Sequence, residues 1–112
     1  MVNYNNKKFK SISNSGTGEV DQNTIFHYYQ KENIVWGTYN GGKIKFGTLT
    51  GTVNQDGSLH FAYQHVNDNN QLLTGTCVST PETLSDGKLK LHEEWQWTCN
   101  DRSSGKSIIE EI

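Results

Sequence analysis

Seven clusters of turn-forming residues divide this chain into eight short segments, and this punctuation constrains the fold more than any other feature. The clusters are rich in Gly, Asn, Asp and Ser, which readily adopt the positive φ angles that tight hairpin turns require. They lie at residues 15–18, 32–33, 40–42, 56–57, 67–70, 86–87 and 103–105. Eight strands joined by seven turns are therefore predicted.

Apolar and polar residues alternate between these turns, as expected for strands with one buried face. The alternation is clearest in the fifth segment, where one face carries Leu59, Phe61, Tyr63 and His65, and in the seventh, where one face carries Leu89, Leu91, Glu93, Trp95 and Trp97. The other predicted strands are Lys7–Ser13, Thr24–Lys31, Ile34–Tyr39, Lys43–Val53, Gln71–Thr80 and Ser107–Ile112. The gaps are too short for parallel crossovers, so strands adjacent in sequence should pair antiparallel.

Composition supports an all-β fold. Val, Ile and Thr number 24 and the aromatic residues Phe, Trp and Tyr number 12, whereas alanine occurs once, at Ala62. Eight meandering strands that each have one apolar face are best buried by rolling into a closed or flattened barrel. We therefore predict a single domain over residues 1–112, an eight-stranded antiparallel up-and-down barrel of lipocalin-like architecture. Its strands contain the glycines Gly37, Gly47, Gly51 and Gly75, which should permit the coiling of a small barrel.

Charge and hydropathy exclude two classes of partner. Ten Lys and Arg against 12 Asp and Glu give a net charge of −2 with no long run of either sign, unlike a nucleic-acid-binding protein. No stretch approaches the roughly 20 apolar residues of a membrane-spanning helix, so no membrane partner is expected. The first residues lack the apolar segment of a secretory signal, which predicts a cytoplasmic location.

The two cysteines are predicted to be free thiols. They flank the hairpin turned at Asp86-Gly87. If Ser85 opposes Lys88, then Cys77 faces Gln96 and lies three residues from Cys99 along the pair of strands. That offset, about 10 Å, is too long for a disulfide.

Glu93 is the most suggestive residue for function, because it is a carboxylate on the apolar face of the seventh strand. Burying an unpaired charge is expensive, so Glu93 should have a protein donor, a ligand donor or a proton retained by a raised pKa. Arg102 is close in sequence, and an internal ion pair or a bulge that turns Glu93 outward are structural alternatives. The residues that we predict to line a ligand cavity are Tyr63, His65, Glu93, Trp95 and Trp97.

No metal or cofactor is predicted. His27, His60, His65 and His92 lack the close spacing of a zinc site, and His60 and His65 should point to opposite faces of their strand. The segment Asn100–Ser107 resembles a phosphate-binding loop and an acetyl-coenzyme A pyrophosphate loop. Both loops require a following helix, for which too few residues remain.

Three functions are compatible with these patterns. The first is a barrel that binds a small apolar or aromatic molecule carrying a hydrogen-bond donor. The second is a filled, structural barrel that forms a homo-oligomer, suggested by Tyr29 and Tyr39 as aromatic residues on polar faces. The third is an enzyme in which His65 and Glu93 act as acid and base. The sequence identifies no catalytic residues and favours a non-enzymatic role.

Several segments resemble a family of short bacterial proteins often labelled N-acetylglutamate synthase. The most specific is Leu91-His-Glu-Glu-Trp-Gln-Trp-Thr98, and the resemblance extends to Tyr39–Gly42, Tyr63–Asn67, Leu73–Cys77 and Ser104–Glu111. This resemblance implies an all-β, barrel-forming protein and carries no established catalytic residues. The family label suggests acetyl transfer from coenzyme A to glutamate.

Overall fold

The computed structural model describes residues 2–112 and shows eight antiparallel strands that close into one barrel. The strands are β1 (Lys7–Asn14), β2 (Ile25–Lys31), β3 (Ile34–Gly41), β4 (Ile44–Val53), β5 (Leu59–Asn67), β6 (Leu72–Thr83), β7 (Leu89–Trp97) and β8 (Ser104–Glu111). Each strand pairs with the next, and β8 pairs with β1. The all-β meander predicted from the turns is confirmed, and the barrel is closed.

The strands differ from the prediction mainly at the end of β6, which extends to Thr83 rather than Thr80, at the start of β8, and in the register of β6 with β7. β8 begins at Ser104, three residues earlier than predicted, so part of the expected Ser103–Gly105 turn belongs to a strand. The β6–β7 hairpin closes with Leu84 N–H donating to the Lys88 carbonyl. That wider turn shifts the register by one residue, so Cys77 faces Trp95 rather than Gln96. Both cysteines are free thiols, as predicted.

The two ends of the barrel are closed differently. At the end that we call the base, residues 2–6 cross the opening, and the fully buried Tyr4 hydroxyl donates to the Gly57 carbonyl at 2.6 Å. At the opposite end, the mouth, the ten-residue β1–β2 connection covers the opening. This connection, residues 15–24, is called the lid below.

The interior changes in character along the barrel axis. The half nearest the base is filled by apolar side chains, among them Phe9, Val35, Leu59, Leu91 and Ile109, all with 0% exposure. The half nearest the mouth contains aromatic rings together with buried polar groups. Inward-facing residues on the same strands therefore form a packed base half and a polar, aromatic mouth half.

Five inward aromatic residues lie directly opposite glycines on neighbouring strands. The pairs are Tyr28 with Gly37, Tyr39 with Gly47, Phe61 with Gly51, Tyr63 with Gly75, and Trp95 with Gly105. A Cβ at Gly47, Gly75 or Gly105 would lie closer than 3 Å to the ring opposite it. Beyond permitting coiling, these glycines provide the space in which large rings fit inside a narrow barrel.

Residues 2–112 contain no helix with the length and apolarity needed to cross a membrane.

Candidate functional site

The mouth half of the barrel contains a cavity of about 50 Å³. Its lining includes all five residues predicted from the sequence, Tyr63, His65, Glu93, Trp95 and Trp97. The prediction that alternation turns these side chains inward is therefore confirmed, whereas their role in binding stays a prediction. The remaining lining residues are Asn14, Gly18, Glu19, Val20, Phe26, Tyr39, Leu49, Phe61, Cys77 and Ser107.

Glu93 forms the polar part of the cavity floor, halfway along β7. Ser79 on β6 and Ser107 on β8 are its direct partners in the sheet. The Ser107 hydroxyl donates to Glu93 Oε1 at 3.0 Å, and the fully buried Ser79 hydroxyl has no hydrogen-bond partner among the described residues. Glu93 forms no ion pair within residues 2–112, and Arg102 lies exposed in the β7–β8 turn.

Burial raises the pKa of Glu93 from 4.5 to about 7, because the charged carboxylate loses its hydration inside the barrel. The Ser107 hydroxyl opposes this effect by stabilising the charged form. Both structural alternatives, an ion pair and an outward bulge, are wrong for Glu93. A retained proton and a hydroxyl donor take the place of a counter-charge.

Aromatic rings form the walls between this floor and the mouth. The ring centroids of Trp95 and Trp97 are 5.7 Å apart with an angle of 58° between their planes, and those of Tyr63 and Trp97 are 5.8 Å apart at 62°. All three rings line the cavity. The cavity is consequently bounded by aromatic rings as well as by aliphatic groups.

The lid is held by side chains of the barrel wall. Trp95 Nε1 donates to Asn14 Oδ1 at 2.9 Å, and Trp97 Nε1 donates to Thr17 Oγ1 at 3.0 Å. The Asn14 amide in turn donates to the Val20 carbonyl at 3.0 Å. Both indole groups predicted to face the cavity therefore also anchor the loop that covers it.

A second anchor joins the lid to β5. Glu19 Oε1 lies 2.8 Å from His65 Nε2, and Glu19 Oε2 accepts from the Asn67 amide at 3.0 Å. The Tyr39 hydroxyl lies 2.9 Å from His65 Nδ1. Both hydrogen bonds of His65 form when the Tyr39 hydroxyl donates to Nδ1 and Nε2–H donates to the Glu19 carboxylate. His65 therefore links Tyr39 to Glu19, and no hydrogen bond joins it to Glu93 among the described residues, so the proposed acid–base pair of His65 and Glu93 has no direct contact in this geometry.

One aromatic residue was assigned to the wrong face. Tyr39, predicted as an outward residue suited to an interface, is buried with 3% exposure and lines the cavity. β3 has apolar side chains on both faces, since Ile34 and Trp36 are exposed while Val35 is buried. Alternation alone could not separate the faces, but the glycine opposite Tyr39, Gly47, is a signal that could have.

The other three histidines lie outside the barrel interior. His60 is exposed whereas His65 is buried, as predicted from their spacing. His27 lies on the outer face, where its Nε2 is 2.8 Å from Asn6 Oδ1, and His92 Nε2 lies 2.8 Å from Glu82 Oε1 in an exposed contact. Among residues 2–112, no three His, Cys, Asp or Glu side chains are grouped so that they could hold a metal ion.

Comparison with known proteins identifies the family. No curated protein and no solved structure matches the chain significantly. The family model described as avidin-like protein matches residues 2–112, and it fits the closed barrel of eight antiparallel strands. The N-acetylglutamate synthase label suggested by the sequence resemblance receives no support from these comparisons. The chain belongs to the avidin-like protein family.

Proposed function

We propose that this protein binds a small molecule in the mouth half of its barrel, between Glu93 and the lid. The observation that carries the proposal is the asymmetry of the interior. The base half is packed with apolar side chains, whereas the mouth half keeps a cavity beside a buried carboxyl group that has no counter-charge in the described residues. A ligand with a hydrogen-bond donor would compensate that group, and the aromatic walls would supply apolar contact.

The size of the cavity limits the ligand or requires the lid to move. About 50 Å³ exceeds the roughly 10–15 Å³ that one water molecule needs, but it is far below the roughly 300–1,000 Å³ of typical ligand pockets. A molecule of a few heavy atoms fits under the closed lid. An apolar or aromatic molecule of ordinary metabolite size enters only if residues 15–24 swing away.

The lid is suited to such movement because few hydrogen bonds hold its middle. Thr17 and Glu19 bond to the barrel wall through their side chains, at distances of 2.8–3.0 Å, and a backbone bond to β8 is at the start of the lid, from Ser15 N–H to the Lys106 carbonyl. Such bonds contribute only about 0.5–1.5 kcal/mol net when neutral and about 1.5–3 kcal/mol when one partner is charged. A ligand that replaces these contacts with its own can therefore hold an open or rearranged lid.

Tryptophan fluorescence tests this proposal directly. Trp95 and Trp97 line the cavity, whereas Trp36 is 40% exposed on the outer face, so the variant Trp36→Phe removes the background signal. The panel includes short-chain amines, alcohols, acids and aromatic metabolites. It also includes biotin, the ligand of streptavidin, another small barrel.

We expect at least one compound to shift the emission of Trp36→Phe saturably and to raise its melting temperature. Glu93→Gln should change the affinity, whereas Glu94→Gln, one residue along β7 on the exposed face, should not. The proposal fails if no compound shifts either signal, or if both glutamate variants bind every compound as the parent does.

A second candidate function, self-association, is favoured by an apolar row on the outer face. Phe46 on β4 and Leu72 on β6 both lie opposite Val66 on β5, and they are 56% and 64% exposed. A bulge between Ile44 and Phe46 turns the phenylalanine ring outward. Contiguous exposed apolar residues often mark an interface.

Light scattering tests the second candidate. Leu72→Lys should dissociate an oligomer formed through the Phe46–Val66–Leu72 row. Val78→Lys, at an exposed valine on the outer face of the same strand, should leave it intact. A parent protein that is monomeric at high concentration would rule this candidate out.

A further inference from the structure

The charges around the cavity define the chemistry of its ligand more narrowly than its shape does. Two carboxylates, Glu19 and Glu93, are among the lining residues, and no lysine or arginine is. Glu19 is already bonded to His65 and Asn67. Glu93 accepts from the Ser107 hydroxyl at Oε1, and the Cys77 thiol and Ser79 hydroxyl beside it also favour its charged form, but no cationic side chain pairs with it within residues 2–112.

A negative ligand is disfavoured at this floor, because it would bring a second uncompensated charge of the same sign beside Glu93. A positive ligand would supply the counter-charge that the barrel lacks. A buried charge without a partner is costly. A cation that pairs with ionised Glu93 therefore removes that cost. Electrostatics therefore favours a cation over an anion.

The aromatic walls of the cavity also favour a cation over an anion. The rings of Tyr63, Trp95 and Trp97 all border the cavity, with Trp97 tilted by 62° to Tyr63 and by 58° to Trp95. The faces of aromatic rings attract ammonium groups, and cages of several rings bind alkylated ammonium ions. The outer face shows the contrasting arrangement, since Tyr29 and Trp36 lie nearly parallel, at 19°.

We infer that the ligand bound in the mouth half carries a small ammonium group, whose N–H or N–CH₃ groups lie against Glu93 and whose alkyl substituents contact Tyr63, Trp95 and Trp97. This inference rests on the proposed function and names the chemical class of its ligand. A head group of one to a few heavy atoms is compatible with a cavity of about 50 Å³. The buried hydroxyl of Ser79, which has no partner, lies opposite Glu93 as a further donor for the ionised carboxylate.

Proton release accompanies binding in this scheme. The pKa of Glu93 is raised to about 7 in the barrel without ligand, so at pH 6 the carboxyl group is mostly protonated and must lose its proton to pair with a cation. Affinity for an ammonium ion should therefore rise about fivefold from pH 6 to pH 7, about twofold more from pH 7 to pH 8, and then level off. The proton passes from the Glu93 carboxyl to solvent, and no covalent bond changes.

The tyrosines and the cysteine around Glu93 do not produce this pH profile. The titratable groups that face Glu93 or line the cavity are Glu19 on the lid, Tyr28 on β2, Tyr39 on β3, Tyr63 and His65 on β5, and Cys77 on β6. Burial raises the pKa of each of the three tyrosines and of Cys77, so these groups stay uncharged in this pH range. Glu19 and His65 are bonded to each other, and the variants below separate their contribution.

The test titrates Trp36→Phe with matched probes of three charge classes: n-propylammonium, n-butanol and butyrate, at pH 6, 7 and 8. We expect n-propylammonium to bind most tightly at pH 8, and its affinity to fall about tenfold between pH 8 and pH 6. In the Glu93→Gln background that affinity should fall about tenfold or more at pH 8 and lose its pH dependence. Glu94→Gln is the matched control and should behave as the parent.

The outcomes separate the inference from the proposed function. If n-butanol or butyrate binds at least as well as n-propylammonium at pH 8, the ammonium assignment is overturned and small-molecule binding stands. If pH dependence persists in Glu93→Gln, the assignment to Glu93 is overturned. If no probe and no member of the wider panel binds, both proposals fall.

Stability of the variants is controlled separately. A melting curve at each pH shows whether Glu93→Gln is folded. Ser107→Ala keeps the carboxylate and removes its hydroxyl donor at 3.0 Å. It should retain preference for the ammonium probe with a smaller loss of affinity, and an alanine variant that prefers n-butanol would also contradict the inference.

Discussion

The two halves of the barrel interior are built from the same strands and the same alternation, yet they differ in what they contain. On β7, Leu91 is fully buried in a packed apolar core, whereas Glu93, two residues further along the same face, lies at the floor of a cavity. Such a polar insertion costs stability, because the charged form loses hydration. The difference indicates that the base half maintains the fold, and it is the observation on which the proposed binding function of the mouth half rests.

The largest expected effect on stability lies in the base half. Leu91→Ala should lower the free energy of unfolding by about 2–5 kcal/mol, since it leaves a void among side chains with 0% exposure. Denaturant unfolding measures this change. Leu72→Ala, at an exposed leucine, is the matched control, and equal losses in the two variants would contradict the packed base half.

The next effect concerns Glu93 and depends on pH. A carboxyl group whose pKa is raised from 4.5 in the unfolded chain to about 7 in the barrel binds protons on folding, so stability falls as pH rises from about 4.5 to about 7. This rise in the pKa of Glu93 corresponds to a loss of about 3 kcal/mol in the free energy of unfolding, at about 1.36 kcal/mol per pKa unit. Glu93→Gln should abolish that loss, so that the variant is the more stable protein at pH 8.

Unfolding curves of the parent and Glu93→Gln at pH 5 and pH 8 measure this prediction. The difference between the two proteins isolates Glu93 from other titrating groups. If the difference in the free energy of unfolding between the parent and Glu93→Gln is the same at both pH values, the carboxyl group is not buried as described.

A smaller effect is expected where the base is closed. Tyr4→Phe removes the hydroxyl that donates to the Gly57 carbonyl at 2.6 Å while keeping the buried ring. We expect a loss of about 1–2 kcal/mol in the free energy of unfolding, with no change in ligand affinity. A change in affinity without a change in stability would contradict the separation of the two ends.

The smallest effect on stability is expected at the lid. Glu19→Gln removes one of the two acceptor oxygens that bond to His65 and Asn67, and the cost should be about 1 kcal/mol because the remaining oxygen still accepts one of the two bonds. Quenching of Trp95 and Trp97 by acrylamide in the Trp36→Phe background should increase. Unchanged quenching would show that Glu19 does not hold the mouth closed.

Period-two alternation predicted the strands and the inward direction of Glu93, Trp95 and Trp97, because strand geometry alone determines which side chains share a face. It could not predict the lid. Glu19 bonds to residues 46 and 48 positions away, and its loop has no periodic pattern. Asparagine is common in turns, so nothing in the sequence links Asn14 to Trp95 or Asn67 to Glu19. These contacts form only when the barrel closes.

The one-residue error in the β6–β7 register had a local cause. Asp86-Gly87 was interpreted as the centre of a two-residue turn, whereas three residues lie between Leu84 and Lys88, which close the hairpin. The inward face predicted for β7 is nevertheless correct, because burial of the apolar face determines it independently of turn length.

The protonation of Glu93 tests the central claim most directly. A ¹³C NMR titration of the glutamate carboxyl carbons, with Glu93 assigned by comparison with Glu93→Gln, reports its pKa with and without n-propylammonium. The account predicts a midpoint near pH 7 in the protein alone, and a lower midpoint when the ammonium ion is bound. A midpoint near 4.5 that the ammonium ion does not change would contradict it.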